Sequence, residues 1–205
     1  MNTEEYLKLV KKHPKPYDVS KYHISYEGEL EDYNKIIEYN KKLISTYPFL
    51  LPHNVFSGKV IDGYNYEWTM ADQIEDGWRL AFGKQLFDEL LEVSNKFGYN
   101  LEIADDNGIV DTDITNLTFK DCWYFFEIKE KFGILRMYPS GVVPEIIDVI
   151  NKYELKSRYT CHKCGKVATI ISSDYILPWC NECFENRTEK YLKAINIKDY
   201  YNIKF

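Results

Sequence analysis

The sequence predicts an α+β fold, a small antiparallel sheet packed by helices, with a C-terminal zinc ribbon. Three observations predict it. Cys161, Cys164, Cys180 and Cys183 stand in a C-x2-C-x15-C-x2-C pattern. Trp78, Phe82, Leu86 and Leu90 recur at i+4, the period of a helix buried along one side. CWYFFEIKE (122–130) and ILRMY (134–138) flank Lys131-Phe132-Gly133 and read as strand, turn and strand.

The cysteine spacing carries the most specific chemistry. Zinc takes four soft ligands at tetrahedral corners, and each two-residue gap lets a cysteine pair sit on one tight knuckle. Between the pairs, VATIISSDYILPW is β-branched and aromatic, broken by Ser-Ser-Asp, which predicts two short strands. A redox dithiol is the competing chemistry, but it uses a single pair at the start of a helix. Here there are two pairs, and Gly165 follows the first as a zinc knuckle favours. Four cysteines leave no open position for water or substrate, so the Zn2+ is structural and names no reaction.

Composition narrows the class. Hydrophobic content of 45% and charged content of 28% describe a soluble globular chain whose 205 residues supply one substantial core or a core with a small module. Aromatics reach 16%, with 18 Tyr, which fits either a Tyr-rich core and surface or a pocket lined with stacking rings. The N-terminal MNTEEYLKLVKKH is charged throughout, and no apolar run approaches the roughly 18 residues that cross a membrane. A cytoplasmic protein with reduced thiols is expected. Residues 62–113 carry thirteen acidic and three basic side chains, a local net of −10 within an overall −6. The ribbon from Arg158 to Arg187 has four basic and three acidic residues, no strong basic face, so nucleic acid is a poor partner for it.

In chain order, residues 1–46 read as a helical extension. Its first helix, EEYLKLVKK, has acids in the first turn and lysines in the last. Its second covers 29–45 with a stripe of Leu30, Tyr33, Ile37, Ile44 and Tyr47. The core, 47–156, opens with Tyr47–Pro52, expected to lie extended because of its two prolines. Residues 57–77 form a loop with Tyr64, Tyr66 and Trp68, of a length that is often functional. The central helix runs over 77–96, with Asp72 or Asp76 as its cap. Strands follow at 99–105, 122–130 and 134–138. Cys122, Tyr124, Phe126 and Ile128 share one face of the second and Trp123, Phe125 and Glu127 the other, which places it in a sheet interior. Pro144 opens a helix to about Lys156. The ribbon spans 157–187, and 188–205 hold the end of a helix over 184–195 and an aromatic tail. That tail, from Tyr200, packs on its own body or on a second subunit of a homo-oligomer.

Few residues suggest catalysis. Asp105-Asp106-Asn107-Gly108 with Asp111 and Asp113 misses the EF-hand register and reads as a turn. Cys122 lies in an apolar strand, where cysteine is a small hydrophobe, and the histidines at 13, 23, 53 and 162 are scattered. Two arginines stand out. Arg79 sits near a helix start beside Trp78, and Arg136 lies mid-strand between Leu135 and Met137. Each either closes a salt bridge or grips phosphate, helped by Lys129 or Lys131, while a ring stacks on a base. The ligand-binding candidates are therefore Trp78, Arg79, Arg136, Tyr64 and Trp68.

The succession YPFLLP (47–52), YNYEW (64–68), GWRLAFG (77–83), IKEKFGILRMY (128–138), CHKCG (161–165) and PWCNEC (178–183) resembles a family of small zinc-ribbon proteins widespread in phage and prophage genomes. The resemblance covers residues 47–184 and assigns no active-site residue. It implies an accessory, counter-defence protein acting in a host bacterial cytoplasm. With the aromatic excess and the two arginines, this leads to a non-enzymatic protein that sequesters a nucleotide-derived signalling molecule. The alternative is an interaction module whose acidic 62–113 surface occupies a basic host defence protein. A hydrolase of such signals lacks a visible acid/base set.

Overall fold

The computed structural model describes residues 1–12, 27–54, 56–61, 63–99, 123–188 and 190–204. Helices α1 (Thr3–Lys12) and α2 (Glu27–Thr46) precede a central helical run of α3 (Asp76–Trp78), a π turn (Arg79–Gly83) and α4 (Lys84–Lys96). Trp78, Phe82, Leu86 and Leu90 are all buried, as their spacing predicts. Their stripe ends on Ser94, whose hydroxyl donates to Leu90 O at 2.6 Å and accepts from Trp123 Nε1 at 2.9 Å. Asp72 and Asp76 do not cap this run. Glu75 holds the N-cap without a side-chain bond, and Asp72 instead accepts from Thr69 N at 2.7 Å around the 3-10 turn Met70–Gln73.

Residues 47–52 are not simply extended. Pro48 presets the first turn of a 3-10 helix, Pro48–Leu50, closed by Leu51 N donating to Pro48 O at 3.0 Å. That turn drives Phe49, Leu50 and Leu51 into the core, where Phe49 stacks on Trp123 at 4.7 Å. In α2 the buried line is Ile36, Asn40 and Ile44, while Leu30 is exposed. A polar side chain holds the middle of that line because Asn40 Nδ2 donates to Tyr66 O at 2.8 Å.

Strands β1 (Phe125–Lys131) and β2 (Ile134–Pro139) pair antiparallel, with Ile128 opposite Met137 and Lys129 opposite Arg136. A register shift between Phe125 and Glu127 breaks the alternation, so Phe125 and Ile128 enter the same core instead of opposite faces. Among the described residues this sheet has two strands, not the interior position expected for 122–130. Side chains close its edges: Gln73 Oε1 accepts from Ile128 N, and Ser157 Oγ and Glu154 Oε1, on α5 (Pro144–Ser157), accept from Leu135 N and Met137 N. The strand expected over 99–105 lies, beyond Tyr99, outside the described residues, as do Cys122 and the turn from Asp105 to Asp113.

After α5 come β3 (Ile170–Ser172), β4 (Pro178–Trp179), α6 (Asn181–Glu185), β5 (Ala194–Asn196) and α7 (Ile197–Lys204). They form a second antiparallel sheet ordered β4-β3-β5. The helix expected over 184–195 stops at Glu185. Arg187 lies over the Phe184 ring at 3.6 Å and donates to Leu192 O at 2.8 Å, folding the chain back so that β5 joins the sheet. The ribbon thus continues past residue 187, and Tyr201 is buried on Ala168, Ile171 and Ile197 of its own chain. Among the described residues no helix is long and apolar enough to cross a membrane.

Candidate metal centre and ligand-binding residues

The two CxxC pairs meet. The Sγ atoms of Cys161, Cys164, Cys180 and Cys183 all lie within 4.8 Å of one another, and Cys164 and Cys180 are 3.6 Å apart. The first knuckle closes through Gly165 N to Cys161 O at 2.9 Å, with Gly165 at φ +80, a left-handed turn that glycine takes freely. The second opens α6, where Cys183 N donates to Cys180 Sγ at 3.4 Å. Four converging thiols with an amide donor at one sulfur could hold a metal ion, and all four positions come from protein.

The first knuckle is built against the start of the central helix. Gly77 N donates to His162 O at 2.8 Å, and Trp78 Nε1 donates to Thr160 O at 2.8 Å. A Cβ on Gly77 would lie 2.2 Å from Cys161 O and 2.7 Å from the amides of Cys164 and Gly165. Trp78, a ligand candidate in the sequence, is therefore a fully buried strut between core and ribbon.

Arg79, the next residue, points into a different cluster. Its Nη1 donates to Asp72 Oδ1 at 2.6 Å, with both side chains at least 96% buried by exposures of 2% and 4%. Its guanidinium lies 4.7 Å from the centre of the Tyr6 ring. Tyr39 stacks on the same ring at 4.3 Å and 21°. The Tyr6 hydroxyl donates to Asp72 Oδ1 at 2.9 Å, with Oδ2 at 3.1 Å. Burial, then the Asp72 charge, raises the Tyr6 pKa, so the phenol stays a donor. Arg79 Nη2 and Asn40 Oδ1 are buried without a hydrogen-bond partner among the described residues.

Tyr64 and Trp68 border this cluster. The Tyr64 hydroxyl donates to Trp68 O, and burial followed by the nearby Asp72 charge raises its pKa. Arg136 stays apart, bound to Glu154 on α5 at 2.5 Å. A groove of about 740 Å³ between α2 and α4 adjoins the cluster, for Tyr39 forms part of its wall with Lys35, Lys42, Tyr47 and Lys84. The sequence reading missed Tyr6, Tyr39 and Asp72 as a set. Only the tyrosine excess signalled them, because nothing local links residue 6 to residue 72.

Four of the seven acidic side chains described in the 62–113 segment pair with a lysine or arginine of the same chain. Asp72 pairs with Arg79, Asp76 with Lys11, Asp88 with Lys84 and Glu89 with Lys152. Comparison with protein-family models, with curated proteins and with solved structures gives no match to this chain.

Proposed function

We propose that this is a non-enzymatic binding protein in which a zinc-stapled scaffold captures a nucleotide-derived signalling molecule. Zinc is the metal of choice because bonds of about 2.3 Å to four thiolates put tetrahedral sulfurs about 3.8 Å apart. The 3.6 Å between Cys164 and Cys180 is close to that spacing.

One observation carries the ligand class. The fold already holds an aromatic ring with a hydrogen-bond donor against both an arginine and a tyrosine, its donor read by a carboxylate. That is the chemistry a nucleobase requires. The adjoining groove sets Lys35, Lys42 and Lys84 beside Glu38 and Asp88 in a volume within the range of small-molecule sites, and a phosphate there would draw Lys35 from Glu31 and Lys84 from Asp88. In a phage-type accessory protein, sequestering such a signal is a counter-defence activity.

Native mass spectrometry of the full chain purified from cells tests the reading. The expected result is one zinc per chain and a released nucleotide-sized mass with the ultraviolet absorbance of a base. A clean zinc-protein mass, together with no heat on titrating guanosine and adenosine nucleotides, overturns it. Capture of a basic host protein that dissociates steeply with salt would favour the acidic-surface alternative.

A further inference from the structure

Tyr6 occupies its socket as a ligand would. Its ring stacks on Tyr39 and lies against the Arg79 guanidinium, its hydroxyl is bound by Asp72, and its own exposure is 0%. The helix that delivers it has ten residues, too few to be stable alone, so docking holds it: Tyr6 and Leu7 pack on Ile36 with Leu9, Val10 and Tyr39 against them, and Lys11 and Lys12 pair with Asp76 and Asp32. With Tyr6 withdrawn, the socket presents the Tyr39 ring, the Asp72 carboxylate still held by Arg79 Nη1 and Thr69 N, and Arg79 Nη2, which has no hydrogen-bond partner among the described residues.

We infer that this socket is the base-binding subsite for a guanine nucleotide, which competes with Tyr6 for it. This rests on the nucleotide-binding reading above and specifies its base. A guanine edge carries two adjacent donors, N1–H and N2–H, which suit a carboxylate whose oxygens both already face the Tyr6 hydroxyl. Adenine sets a ring acceptor beside its one amino group, and that acceptor would face Asp72 with nothing to donate. A buried polar site rejects the base that leaves its groups unpaired. Arg79 Nη2 offers a donor to a base oxygen. The sugar and phosphate leave past Tyr39, toward Lys35 and Lys42 on the same helix.

The experiment uses the full chain with Tyr6→Ala and Tyr6→Phe. Tyr6→Ala empties the socket. Tyr6→Phe keeps the ring and removes only the bond to Asp72. Calorimetry with guanosine 5′-monophosphate should give at least about tenfold tighter binding to Tyr6→Ala than to the unsubstituted chain, since the competing occupant is gone, and an intermediate gain for Tyr6→Phe. Adenosine 5′-monophosphate should bind at least about tenfold more weakly, and Asp72→Asn in the Tyr6→Phe background should erase that preference. Separately, 4-methylphenol should raise the Tm of Tyr6→Ala by refilling the socket. Rescue by 4-methylphenol without nucleotide binding makes the socket a clamp for α1 only and overturns the inference. Nucleotide binding that ignores both Tyr6 substitutions, or does not distinguish the two bases, overturns it while leaving the nucleotide-binding reading intact. If Tyr6→Ala fails to fold, Tyr6→Phe alone decides.

Discussion

Phe132 holds an unusual conformation for its type. It and Gly133 form a two-residue turn between β1 and β2 with φ of 55 and 76. Positive φ at both positions is the type I′ hairpin turn, which suits Asn-Gly and strains a bulky side chain by about 1 kcal/mol or more. The ring is 65% exposed, and the Lys131 ammonium lying 5.7 Å from its centre is an exposed contact worth about 0.5 kcal/mol. Strain wins, and Phe132→Asn should raise stability by roughly 0.5–1 kcal/mol in urea unfolding. His53 makes the opposite kind of statement, in pH. It is buried, its Nδ1–H donates to Leu51 O at 2.8 Å, and it stacks on Tyr124 at 4.0 Å. Burial pushes its pKa down to about 4 from an ordinary 6.5. Between those values the unfolded chain binds a proton that the fold refuses. The contribution of His53 is therefore complete above pH 6.5 and is lost as pH falls toward 4, by up to roughly 3 kcal/mol. Comparing urea midpoints of the natural chain and His53→Gln across that window checks it: the difference should shrink toward acid pH.

At the scale of elements, the junction of α3 with the first knuckle makes a testable claim about action at a distance in sequence. Gly77 stands 84 positions before Cys161, yet backbone atoms of the knuckle fill the space where its Cβ would be. Backbone cannot swing aside as a side chain can, so Gly77→Ala must shift either the helix start or the knuckle. Metal affinity should fall by roughly 10-fold or more, as for other groups that position ligands, measured by competition with a chromophoric chelator. Unchanged affinity would mean that the helix start absorbs the shift. The same junction marks how far the sequence was legible. The central helix was readable because its contacts recur every four residues, and the convergence of the four cysteines because two knuckles have a fixed local spacing. The β-bulge was not, since Trp123, Phe125, Tyr124 and Phe126 are apolar whichever way they point, and alternation carries no signal when both faces are apolar. Nor was the role of Arg79. A guanidinium near a helix start looks the same whether it awaits an anion or has already met Asp72 seven residues earlier, and Tyr6 reaches it only through tertiary packing.

Over the whole molecule, core and ribbon share structure at several separate places. Trp78 and Gly77 are bonded to Thr160 and His162, Ser157 at the end of α5 accepts from Leu135 in β2, and Gly133 in the hairpin turn rests against Ile176 of the ribbon. Residues 47–156 and 157–205 are thus two sheets around one interlocked body rather than a domain with a detachable module. A metal held by the four thiols would then act on the entire fold, because whatever binds only the folded state stabilises everything that unfolds with it. Removing the metal with a chelator should lower the thermal midpoint of one cooperative transition, followed equally by tryptophan fluorescence and by far-ultraviolet circular dichroism. The tryptophans report both halves, since Trp78 and Trp123 lie in the core cluster and Trp179 lies in the ribbon. Loosening should also reach Arg79, which follows directly on the Gly77-Trp78 strut, and so weaken the seat of Tyr6. Hydrogen exchange in α1 should therefore speed up in the metal-free chain. Two separate transitions on heating, with the core midpoint and α1 protection unmoved by the chelator, would show that the bonds at the junction do not couple the two sheets.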